Sequence, residues 1–149
     1  MAPGAKTEPV AVCLDADVII AGLFSRAGAS HAILVLGEVG LLRIVLPAAA
    51  VDEARRNIQR KLPEALPTFE IFLASPFVET FRPTPHHVNR ARRLAHDKDV
   101  PIMAAAVGAG AGILVTHNTK HFESGEGVRV VRPRTLVTEA RAWMARFGR

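Results

Sequence analysis

The chain has 149 residues, enough for one domain with its own core and too few for two comfortable ones. A hydrophobic content of 49% excludes a disordered chain, and the absence of any long uncharged apolar run excludes a membrane-spanning protein. Nineteen Lys and Arg against fourteen Asp and Glu give a net charge of +5, carried mostly by Arg, whose forked donors suit phosphate, so the balance favours nucleic acid as a partner.

Residues 1–9 read as a flexible lead-in without the apolar stretch of a secretory signal, which places the protein in the cytoplasm. Residues 10–14, apolar throughout and β-branched at Val10 and Val12, predict a strand buried on both faces. Asp15 then falls at the strand's carboxyl end, where open α/β sheets bind ligands. A carboxylate buried without compensation is costly, so Asp15 reads as functional, whereas Asp17 reads as the N-cap of a helix over 18–24. Cys13, the one cysteine, reads as a buried structural thiol and argues against a zinc site built from thiolates.

Residues 25–30 read as a loop closed by Ser30 as N-cap, with a helix from 31 to about 38 that Gly37 and Gly40 end. A second strand spans 41–46 and stops at Pro47. Over 48–61, Val51, Ala54 and Ile58 recur at helical spacing with Arg55, Arg56, Arg60 and Lys61 turned largely elsewhere; Pro63 and Pro67 break this helix. A short helix over 66–74 and a third strand over 77–81 follow. Thr84 and Pro85 open another helix, with Val88, Ala91, Leu94 and Ala95 as its apolar face. His86 and His87 fall in its first turn, are expected to be exposed, and point apart, so they receive no metal.

Asp99 reads as the N-cap of a helix with Pro101 in its first turn, and the small residues after it allow close packing on the sheet. A fourth strand over 113–116, a polar turn over 117–122, a fifth strand over 128–131 and a helix over 133–147 complete the chain. Strands alternating with helices predict one α/β domain with a mainly parallel five-stranded sheet.

Three acids stand where such a sheet can bring them together: Asp15 after strand one, Glu53 on the helix after strand two, and Asp99 before strand four. Carboxylates held close raise one another's pKa, and a group of three at neutral pH is most easily explained by a bound divalent cation. Hard oxygen ligands and no cysteine cluster point to Mg²⁺ or Mn²⁺. Taken singly, Asp99 also reads as only a cap and Glu53 as only an exposed helix residue.

The order of these pieces resembles the PIN-domain ribonucleases, in particular the small VapC-like toxins of bacterial toxin–antitoxin pairs. The motifs are Leu14-Asp15-Ala16-Asp17-Val18, then Glu53 in Asp52-Glu53-Ala54-Arg55-Arg56-Asn57, then Asp99 in Lys98-Asp99-Val100-Pro101-Ile102-Met103-Ala104-Ala105-Ala106. The fourth is the turn Val115-Thr116-His117-Asn118-Thr119-Lys120-His121-Phe122. The resemblance covers nearly the whole chain. It implies a three-layer α/β/α PIN-like fold, a cation held by Asp15, Asp99 and Glu53, a homodimer, and a protein antitoxin encoded nearby. Two departures stand out: the last turn carries Asn118 and His121 where the family often has a further Asp, and Asp17 occupies the place of the family's frequent Asn. Asn118 can still ligate or position water through its carbonyl, and Asp97 is close enough in sequence to Asp99 to be an additional ligand. Arg55, Arg56 and Arg60 on one side, and Arg90, Arg92 and Arg93 on the other, are the candidate contacts to RNA phosphates.

Two other readings stay open. Leu14-Asp15-Ala16-Asp17-Val18 also resembles the haloacid-dehalogenase-like phosphatases, with Asp15 as nucleophile, although their later acidic motif should follow a strand and residues 88–95 read as helix. With Asn118 in place of an acid, the chain could instead be a catalytically silent PIN domain that binds RNA or a protein.

Overall fold

The structure, a computed structural model, describes residues 9–147. Residues 1–8 of the expected flexible lead-in lie outside the described residues. The elements are β1 (Val10–Leu14), α1 (Ala16–Phe24), α2 (Ala29–Glu38), β2 (Leu42–Pro47), α3 (Ala48–Lys61), α4 (Leu66–Leu73), β3 (Val78–Phe81), α5 (Pro85–Ala91), α6 (Val100–Gly108), β4 (Ile113–Val115), β5 (Arg129–Val131) and α7 (Pro133–Phe147). Short 3₁₀ turns at Pro63–Ala65, Arg92–Leu94, Asp97–Asp99 and Thr119–His121 punctuate the connections.

All five strands are parallel, in the order β3-β2-β1-β4-β5. The chain builds outward from β1 to β3 and then returns to lay β4 on the other side of β1. The carboxyl ends of β1 and β4 therefore flank the switch point, where a crevice opens in sheets of this kind. Helices cover the sheet in a three-layer α/β/α arrangement: α2 packs on α1 and α7, while α6 packs on α5 and against β1, β2 and β4. The small side chains expected in α6 do what their size allows, since Ala104, Ala105 and Ala106 are completely buried. Among the described residues, no single helix is long and apolar enough to cross a membrane.

The expected five-stranded sheet is present, and every strand pairing in it is parallel. Several local expectations need correction. Helix α1 begins at Ala16, so the N-cap is Asp15 and Asp17 falls in the first turn. The cause is that the chain turns as soon as it leaves the strand: Asp15 has extended backbone (φ −71°, ψ 161°) and its carboxylate accepts from the Ala16 N–H. Helix α2 is likewise preceded by Gly28, and Ser30 is buried inside its first turn. There α1 and α2 cross closely, a Cβ on Gly22 coming within 3.1 Å of the Ser30 carbonyl. Asp99 occupies the cap position of α6 but makes no side-chain cap bond. His86 is exposed as expected; His87 is half-buried. The His87 ring accepts from the Thr84 N–H and lies against Gly108, where a Cβ would stand 2.5 Å from Nδ1.

Candidate active site

Register dictates the centre of the site. Leu14 pairs with Val115, so the next residues of the two strands, Asp15 and Thr116, leave the sheet side by side. The Thr116 hydroxyl donates to Asp15 Oδ2 (2.8 Å), the Ala16 N–H donates to Asp15 Oδ1 (2.8 Å), and the Asp15 N–H donates to the Val115 carbonyl (3.0 Å). Held in this way, Asp15 is only 7% exposed. Burial pushes its pKa up to about 6, and the charges of Asp17 and Glu53 act in the same direction, against the opposing bonds from Thr116 and Ala16.

Around this centre Thr116, itself fully buried, accepts from the Asn118 N–H (3.0 Å). Asp17 Oδ2 accepts long bonds from the His117 N–H (3.3 Å) and the Asn118 amide (3.4 Å) and faces His117 Nδ1 (3.3 Å). Its other oxygen, Oδ1, is buried with no hydrogen-bond partner. Glu53, on the second turn of α3, is exposed yet near enough for its charge to raise the proton affinity of Asp15.

Asp99 stands at the start of α6 and keeps different company. Its Oδ2 is buried and makes no hydrogen bond, with His121 Nδ1 3.2 Å away. The His96 ring stacks on that of His121 with centroids 4.7 Å apart and planes 24° from parallel. An antiparallel bridge between Ala95 and Phe122, with the His96 N–H donating to the His121 carbonyl (3.0 Å), brings these segments together. Among the described residues, His96, Asp99 and His121 form the one trio of metal-ligating side chains whose ligand atoms all lie within 4.8 Å of one another. Asp15, Asp17 and Glu53 are coupled by charge, and the structure does not draw Asp99 into a trio of that tightness with Asp15 and Glu53. Asp97 is exposed in the turn before α6.

These donors fit a hard divalent cation. Two buried carboxylate oxygens, Asp17 Oδ1 and Asp99 Oδ2, lack hydrogen bonds, and Asp15 is crowded by like charge. Carboxylate oxygens suit Mg²⁺ and Mn²⁺, and the two imidazoles beside Asp99 are better tolerated by Mn²⁺.

The arginines divide by partner. Arg55 donates to both oxygens of Glu70 and faces Asp52; Arg90 donates to Glu126. Arg60 and Arg92 donate to Asn57 and Asn89 within their own helical turns. Arg56 and Arg93 are exposed and make no ion pair among the described residues. Sequence reasoning passed over Thr116, His117 and His96 as individual site residues. For Thr116 a signal existed, since a polar residue ends an apolar strand there as Asp15 does in β1. For His96 there was none, because its neighbour His121 is supplied by a distant bridge.

A family model for the PIN domain matches residues 11–120. No curated protein matches the sequence. Among solved structures, VapBC-1 from nontypeable Haemophilus influenzae is similar with a TM-score of 0.63 at 18% identity, over 84% of this chain and 99% of that one. VapBC2 from Rickettsia felis, bound to a DNA fragment from its promoter, is similar with a TM-score of 0.59 at 16% identity, over 74% of this chain and 90% of that one. At these identities the likeness is one of fold. The matched family segment runs from the second residue of β1 through β4 and includes Asp15, Asp17, Glu53, Asp97, Asp99 and Asn118, and on that ground the chain belongs to the PIN domain family.

Proposed function

We propose that the protein is a Mg²⁺- or Mn²⁺-dependent endoribonuclease that hydrolyses phosphodiester bonds of single-stranded RNA. In this reading it acts in the cytoplasm as the toxin of a toxin–antitoxin pair, as a homodimer checked by a protein antitoxin. The carrying observation is Asp15 at the sheet's switch point, buried and crowded by Asp17 and Glu53, an arrangement that a divalent cation relieves. The net charge of +5 supports a nucleic-acid substrate, and the fold shared with two VapBC structures supports the toxin role.

Asp15 and Asp99 would be the principal holders of the cation, with Glu53 and Asp97 as additional ones and Asp17 Oδ1 an inward-facing oxygen beside them. When bound, the cation supplies positive charge to the scissile phosphate and makes water more acidic. Thr116 and the Ala16 N–H fix the direction of the Asp15 carboxylate. Asn118, anchored to Thr116 through its N–H and to Asp17 through its amide, keeps its carbonyl for orienting the attacking water. Glu53, at the exposed rim, accepts the proton of that water. The products would carry a 5′-phosphate and a 3′-hydroxyl.

End-labelled single-stranded RNA incubated with Mg²⁺, with Mn²⁺ or with EDTA tests this. Cutting is expected with either metal and none with EDTA. Cleavage that survives EDTA, or that leaves 2′,3′-cyclic phosphate ends, overturns the mechanism. RNA bound but uncut in both metals would select the silent PIN domain. Phosphate release from an aryl phosphate would select the phosphatase, although Asp97 and Asp99 here follow a 3₁₀ turn rather than the strand that chemistry requires.

A further inference from the structure

Among the described residues, the arginines with an acidic partner all lie away from one particular trough. Arg43, Arg55, Arg90 and Arg129 face Glu79, Glu70, Glu126 and Glu139. Arg26, Arg132, Arg134 and Arg141 are exposed and make no ion pair among the described residues. All four line two adjoining clefts. One, of about 510 Å³, lies between α2 and α7 and takes Arg26, Arg134 and Arg141, with His31 on its wall. The other, of about 450 Å³, takes Arg132 and Arg134 and ends at His117. The clefts share Gly28, Ala29 and Arg134, so they form one continuous trough, and no carboxylate lines either part.

Its position connects it to the acids. His117, at one end, stands 3.3 Å from Asp17. From the wall shared by the two clefts outward, Arg134, Thr138 and Arg141 line the trough along α7 at positions i, i+4 and i+7, one face of the helix. Neither lining contains a Phe, Tyr or Trp ring on which a base could stack or a protein partner could anchor, and its two imidazoles are already engaged, His31 Nδ1 with the Gly22 carbonyl (2.9 Å) and His117 Nδ1 with Asp17 (3.3 Å). Cations on separate elements, spread along a trough, are suited to successive phosphates rather than to base edges. We propose that single-stranded RNA leaving the acidic site lies in this trough, its phosphates held by Arg132 and Arg134 near the acids and by Arg26 and Arg141 farther out, with no base recognition. This rests on the nuclease reading above.

The test is fluorescence anisotropy with an end-labelled 20-nucleotide single-stranded RNA of mixed sequence, in EDTA, so that binding is read whether or not the RNA can be cut. Two double variants, Arg26→Ala/Arg141→Ala and Arg132→Ala/Arg134→Ala, and their fourfold combination are compared with Arg43→Ala/Arg129→Ala, which removes as much charge as either double, elsewhere on the surface. The fourfold variant should bind at least 10-fold more weakly. Its log K against log salt should flatten by about 0.7 for each phosphate no longer neutralised, and each trough double by about half the fourfold change. The control double should match wild type in slope. Unchanged affinity and slope in the fourfold variant overturn the trough whatever the cleavage assay shows. The expected slope change in the variants of a protein that never cuts RNA keeps the trough and removes the nuclease reading. Polyglutamate binding as tightly as the RNA, with the same loss in the variants, would assign the trough to an acidic protein and overturn the RNA proposal.

Discussion

At the amino end of the sheet Arg43, near the start of β2, donates to the Ala109 carbonyl closing α6 (3.0 Å) and faces Glu79 of β3 (3.3 Å), with its buried Nε left without a partner. At the carboxyl end the charges of Asp17 and Glu53 bear on the buried Asp15 with like sign, and a buried oxygen of Asp17 has no donor. One end matches opposite charges across neighbouring elements; the other concentrates one sign around a desolvated group. A fold gains nothing in stability from the second arrangement. Substitutions at the two ends should therefore affect different properties.

The largest effect should come from Asp15→Asn, which keeps the shape and removes the charge. RNA cleavage in Mg²⁺ or Mn²⁺ should drop by on the order of 10²–10³, the scale of losing a preorganised electrostatic group. A variant cutting at the wild-type rate would break the contrast between the ends.

Next comes pH. Because the Asp15 pKa is raised from 3.8 to about 6 in the folded protein, the native state holds the proton more tightly than the unfolded chain. Its stabilising contribution is fully present below about pH 4 and is lost as pH rises through about 6, a difference of about 3 kcal/mol. Urea denaturation in EDTA should show stability from this group falling across that window, and Asp15→Asn should flatten it. A wild-type curve that matches the variant's would mean that the neighbouring acids and burial do not hold the proton on Asp15.

Smaller, and aimed at the same end, is Thr116→Val. It removes the donor to Asp15 Oδ2 and the acceptor for the Asn118 N–H. Affinity for Mn²⁺, read by titration calorimetry, should fall about 10- to 100-fold, as when a ligand loses the group that orients it. The Asp15 pKa, read by NMR, should move further up, because the Thr116 bond is the larger of the two that lower it. Arg43→Ala should be smallest: at most about 1 kcal/mol of stability by denaturation, with cleavage unchanged. Loss of cleavage there would mean that the two ends are not separable.

What could be read from the sequence was whatever depends on neighbours along the chain. The bounds of β1, α3 and α7 follow from apolar spacing and from prolines, and Asp15 stood out because an acid interrupts a run of residues that are all apolar. The exchange of cap between Asp17 and Asp15 turned on where the chain leaves the strand, a choice that local propensity does not resolve. Thr116 meets Asp15 across 101 residues through the register of β4 on β1. Arg55 is neutralised by Glu70 only because α3 and α4 pack together, so a basic helix face that reads as a phosphate contact is partly satisfied within the fold.

Two residues before Asp15, wholly enclosed in β1, sits the chain's single thiol, Cys13. Burial, and then the charge of Asp15, pushes its ionisation above the usual range, and alkylating reagents attack the thiolate. The folded molecule is therefore inert to them, and modification proceeds only during excursions that expose the central strand. The rate of labelling by excess reagent becomes a clock for those openings, ticking beside the acidic edge of the sheet with no engineered reporter. A cation that binds the closed form should slow it in proportion to its occupancy.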